Sequence, residues 1–124
     1  LLAVTVNAAN FTVNSNAHTP DVNPGDGVCA DAGGLCTLRA AIQEANALAG
    51  ADTINFDPVF FAVQRIIVLN TGYVITDSVT INGTSPNLLI LDGNNDVRIF
   101  DIDNSGATVS ISNLTVENGY VGES

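Results

Sequence analysis

The chain has 124 residues, 46% of them hydrophobic, which is enough apolar material for one core and too little for two domains. Thirteen acidic residues stand against three arginines (Arg39, Arg65 and Arg98) with no lysine, a net charge of −10 that repels nucleic acid and anionic membrane surfaces. No apolar run is long enough to span a bilayer, so membrane insertion is not expected.

A heavy β-branched load of 14 Val, 10 Ile and 11 Thr, beside 15 Asn and 11 Gly, predicts short strands joined by sharp corners. Met and Trp are absent, so the core is built from aliphatic side chains of modest size, which suits thin layers.

Taken in order, residues 1–13 alternate apolar and polar from Val4 to Val13, the period of a strand. The opening Leu1–Val4 could equally be the tail of a secretory signal. From Asn14 to Leu35 the chain is loop, broken by Pro20, Pro24 and clustered Gly and Asp. Cys29 and Cys36, the only cysteines, fall close together here; we favour a disulfide closing a short loop over two free thiols or half of a metal site, and with it an extracytoplasmic compartment. Asp21, Asn23, Asp26 and Asp31 put hard oxygen ligands in the same loop at a density that could hold calcium, the one cofactor this sequence raises. The spacing departs from an EF-hand, and a plain series of Asp, Asn and Gly turns accounts for the same residues. Asp92, Asn94, Asn95, Asp96, Asp101 and Asp103 form a weaker group of the same kind.

Thr37 then caps a helix predicted over Leu38–Leu48, with Leu38, Ala41, Ile42, Ala45 and Leu48 on one face and Gly50 at its end. After Asp52 the chain reads as short strands at Thr53–Phe56, Arg65–Leu69, Val79–Asn82, Leu88–Leu91, Val97–Ile102, Val109–Ser112 and Leu114–Val116. Their spacing fits a sandwich or a solenoid. Two internal matches favour the solenoid: Leu89–Gly93 against Leu114–Gly119, and Val79–Asn82 against Val109–Ser112. The expected organisation is an N-terminal strand over 1–13, a loop and capping helix over 14–51, and stacked coils over 52–124.

The run from Asp21 through Cys29, Cys36-Thr37-Leu38-Arg39-Ala40-Ala41 and Glu44-Ala45-Asn46 to Asp52–Phe56 resembles the CSLREA domain, found at the start of secreted bacterial right-handed parallel β-helix proteins. Here Thr replaces the signature's Ser and Ala its Glu, keeping the capping hydroxyl and losing the acid. The resemblance implies an all-β, right-handed parallel β-helix with one short N-terminal capping helix, at the cell surface or outside the cell. Arg39, in the first turn of the helix where the dipole disfavours a cation, is expected to pair with Asp52 or Asp57 as a structural clamp.

Enzymatic motifs are missing. His18 is the only histidine, and neither a nucleophile elbow nor a phosphate-binding loop occurs. A β-helix lyase or hydrolase would need a basic partner for its carboxylates, which only Arg65 or Arg98 could supply. The expectation is a secreted, non-enzymatic structural protein that self-assembles end to end into a homopolymer through an uncapped end, with Val4, Val6, Phe11 and Val13 as a donor strand. The alternative is the capped base of a longer adhesin that binds carbohydrate or another cell-surface partner.

Overall fold

The computed structural model describes residues 8–120. Nine strands and one α-helix follow in chain order: β1 (Asn10–Val13), α1 (Leu38–Ala47), β2 (Asp52–Phe56), β3 (Arg65–Val68), β4 (Tyr73–Ile75), β5 (Val79–Asn82), β6 (Leu89–Asp92), β7 (Phe100–Ile102), β8 (Val109–Ser112) and β9 (Thr115–Glu117). A single 3-10 turn at Phe60–Ala62 lies between β2 and β3. The strands form three small sheets, ordered β1-β2-β5-β8, β3-β6-β9 and β4-β7, and every pairing is parallel.

The internal matches seen in the sequence are direct hydrogen-bonded neighbours. Val79–Asn82 stands in register on Val109–Ser112, and Ile90–Asp92 on Thr115–Glu117. The registers set like side chains on like: Phe11, Ile54 and Ile81 line one inward row, and Ile67 packs under Leu91 in the second sheet. All five are buried, each stabilising the fold by roughly 1.5–3 kcal/mol through apolar area removed from water.

The expectation of an all-β, right-handed parallel β-helix is corrected by this architecture. The molecule is a small mixed α/β fold whose parallel strands lie in three separate sheets, with no closed solenoid. Periodicity along a sequence reports which segments stack, and that part of the pattern is satisfied strand by strand. Strands of three to five residues end at corners, so the hydrogen-bond ladders do not run from one sheet into the next. Several corners turn on asparagines in the left-handed region, Asn94, Asn95, Asn113 and Asn118, with φ between 53° and 59°, which explains much of the asparagine content. The helix, moreover, is a full member of the core: it packs against β1, β2 and β4, burying Leu38, Ala41, Ile42 and Ala45.

Helix α1 forms where the sequence places it. The Thr37 hydroxyl accepts from the Ala40 N–H at 3.0 Å and itself donates to the Thr19 carbonyl at 2.6 Å, so the cap also fastens the preceding loop. The helix ends at Leu48, whose N–H still reaches the Glu44 carbonyl.

β4 escapes the sequence reading because three residues are too few to establish a period of two. Gly83, beside β5, has no room for a side chain: a Cβ there would lie 2.2 Å from the Asn113 carbonyl oxygen of the neighbouring strand's corner.

Candidate functional site

The loop before α1 holds the disulfide and most of the predicted site residues. Cys29 and Cys36 are joined, with Cα atoms 5.0 Å apart. The loop is tied to the end of β1 by Asn14, which donates its N–H to the Cys36 carbonyl and accepts the Cys36 N–H on its side chain.

Of the four residues expected to gather around calcium, the fold brings Asp21 and Asp26 together and adds Glu44 from the buried side of α1, their ligand atoms within 4.8 Å of one another. Asn23 borders this group through its N–H to Asp21. Asp31 lies apart and organises the disulfide loop: it accepts the Thr19 hydroxyl at 2.7 Å and the Gly33 and Leu35 N–H groups, bonds that hold its carboxyl below the usual range.

Glu44 is the residue the sequence reading missed. Its two carboxylate oxygens accept the N–H groups of Gly25 and Gly27 at 2.9 and 3.0 Å, while Asp21 accepts those of Asn23 and Ala30. Burial pushes the Glu44 carboxyl up, the two glycine N–H groups oppose the shift, and the Asp26 and Asp21 carboxyls add to it. The cluster therefore ties loop backbone to helix, and its oxygens are the ones a divalent cation would use. An acid one position off an apolar helical stripe, following a loop with two glycines, was the available signal.

The expected clamp does not form. Arg39 donates from Nη1 to the His18 carbonyl at 3.3 Å and pairs with neither Asp52 nor Asp57. Each acid has a nearer backbone partner: Asp52 accepts the Ala9 N–H at 2.9 Å and Asp57 the Val59 N–H at 2.9 Å. The second Asp52 oxygen is buried with no partner, and burial raises this carboxyl, with Asp77 adding to the effect and the Ala9 bond opposing it.

Arg39 instead borders a cavity of about 220 Å³ between α1 and β4, which Gln43, Asn46, Gly72 and Tyr73 also line. His18 stands behind it, half-buried rather than solvated, with its ring edge-on to Tyr73 at 5.4 Å between centroids. Its pKa is lowered by burial and then by the Arg39 charge. The Tyr73 phenol is pushed above its ordinary value by burial.

Of the predicted assembly residues, Val4 and Val6 lie outside the described residues. Phe11 and Val13 are buried in the chain's own core, where β1 pairs with β2, so they present no surface to a neighbour. Inward-facing positions lose their cover at the other end of each sheet. Ile75 is 0% exposed but its register partner Ile102 is 50%, and Leu91 is 0% against 51% for Val116. No helix among the described residues is long and apolar enough to cross a membrane.

Comparison with protein-family models, curated proteins and solved structures finds no match to this chain.

Proposed function

We propose that the chain is a secreted, non-enzymatic structural protein of the cell surface or extracellular matrix, and that copies associate through the open edges formed by β7, β8 and β9. The observation that carries this reading is the loss of burial at the last strand of each sheet. Inward-facing side chains that are covered in every earlier strand, such as Ile75 and Leu91, have counterparts in Ile102 and Val116 that are half-exposed. Ile111, in register with the fully buried Ile81, is likewise only partly covered.

Edges of this kind are usually guarded by lysine, proline or charge. β8 reads Val109-Ser110-Ile111-Ser112, without a guard, and among the described residues no strand pairs with its outer side, where a further strand can add. The disulfide supports an oxidising compartment. A second copy supplies the chemistry these edges need, since strands of this sequence already stack on one another in parallel. Such a contact is head to tail and propagates.

Negative-stain electron microscopy and light scattering of the purified protein test the reading, with Ile111→Lys as the edge variant. Concentration-dependent polymer that Ile111→Lys abolishes is the expected outcome. A monodisperse monomer at all concentrations overturns self-assembly and moves the longer adhesin, whose further sequence covers the same edges, to first place.

A further inference from the structure

The cavity between α1 and β4 has an unusual inventory. The chain is strongly acidic, yet among the described residues Arg39, one of three arginines, pairs with no carboxylate and donates one N–H to the His18 carbonyl. The side chain of Gln43 accepts the Asp21 N–H through Oε1 at 2.8 Å, which leaves its amide N–H groups without a protein acceptor. Tyr73, 2% exposed, stands in the same wall, and its hydroxyl is buried with no hydrogen-bond partner. Asn46 ties β4 to the helix: it donates to the Val74 carbonyl at 2.8 Å and accepts the Thr76 N–H at 3.0 Å. No carboxylate lines the space.

We infer that this cavity binds a small carboxylate, held by the Arg39 guanidinium with the Gln43 amide as a neutral donor. The groups here that can reach a ligand, the Arg39 guanidinium and the Gln43 amide, are donors and one is cationic, so the complementary ligand is an acceptor carrying negative charge. The planar fork of arginine matches the two oxygens of a carboxylate. A dianion is disfavoured by a single cation in a chain of net charge −10. At about 220 Å³ the cavity accommodates an acid up to the size of a monosaccharide, and a uronate satisfies both charge and size. Arg65 is not an equivalent site, because its guanidinium lies 4.1 Å from the Phe60 ring centroid and donates to the Phe60 carbonyl.

The inference does not depend on self-assembly, and its readout is separate. Isotope-labelled protein is titrated with sodium glucuronate, with glucose as the neutral counterpart and inorganic phosphate at matched ionic strength, while the Arg39 Nε–H and the amides of α1 and β4 are followed by NMR. Saturable shifts with glucuronate and none with glucose are expected, with affinity on the order of millimolar. Arg39→Gln should weaken binding at least about tenfold, and Tyr73→Phe, which keeps the ring and removes only a buried hydroxyl, should leave it unchanged. Amide dispersion reports whether each variant is folded, and Arg39→Lys, retaining charge but losing the fork, should fall between wild type and Arg39→Gln. No saturable shift at α1 and β4, equal response to phosphate, or wild-type affinity in folded Arg39→Gln each overturns the proposal.

Discussion

Cys29 and Cys36 close a loop with a sequence separation of 7, short enough that the chain-entropy model gives about 2.5 kcal/mol of stabilisation. Replacing both by serine should lower unfolding stability in urea by about that amount, and an unchanged midpoint would show the loop to be held entirely by its hydrogen bonds. Asp52 makes the opposite kind of contribution. Its carboxyl is raised in the folded protein by burial, so it favours folding fully below its unfolded value and loses that contribution as pH rises through the folded value. Glu44 is shifted the same way, and Asp31, held low by Thr19, runs in the other direction. Asp52→Asn keeps the acceptor for Ala9 and removes the ionisable group. Urea midpoints measured from neutral pH down to the carboxylate range should therefore rise less on acidification in Asp52→Asn than in wild type. Parallel profiles would mean that Asp52 is already solvated.

At the scale of elements, α1 shows how one residue can serve two structures. Thr37 is 0% exposed, caps the helix through Ala40, and anchors the loop through Thr19. Thr37→Ala removes both bonds and should cost about 1–3 kcal/mol, more than an ordinary solvent-facing cap, as read by thermal or chemical unfolding. A loss near zero would mean that the Thr19 contact is replaced by water. The strands follow a simpler logic. Each is too short to be stable alone, and each gains its place by burying alternate side chains against the strand one repeat away. Residues 89–92 and 114–117 could be aligned by eye because both read aliphatic at the first and third positions and acidic at the fourth, and the last three positions pair in register.

For the molecule as a whole, coverage is graded along the sheets. Helix α1 closes over β1, β2 and β4, and the inward rows stay buried until β7, β8 and β9. Lysine at Ile111 places charge on the half-covered edge, where it guards against further strand addition at some cost in stability, because Ile111 packs against the core. A stably folded monomer in place of polymer is the outcome expected of that change. The acidic surface opposes contact between copies and salt screens it: with a net charge of −10, association between copies should strengthen as ionic strength rises.

The amino-acid sequence by itself determined the local features: the helix and its Thr37 cap, the approximate positions of most strands, their stacking partners, and the asparagine corners. These depend on periodicity, capping chemistry and backbone preference, which act over a few residues or recur from one stacked strand to the next. Only the tertiary structure decided what long-range competition controls. Arg39 left Asp52 and Asp57 because backbone N–H groups nearer in space took those carboxylates. Glu44 joined Asp21 and Asp26 because the loop folds back over the helix, and the strands settled into three separate sheets around a helix rather than a closed all-β coil. Phe11 and Val13 were claimed by the chain's own core, since pairing with β2 within one molecule carries no cost of association.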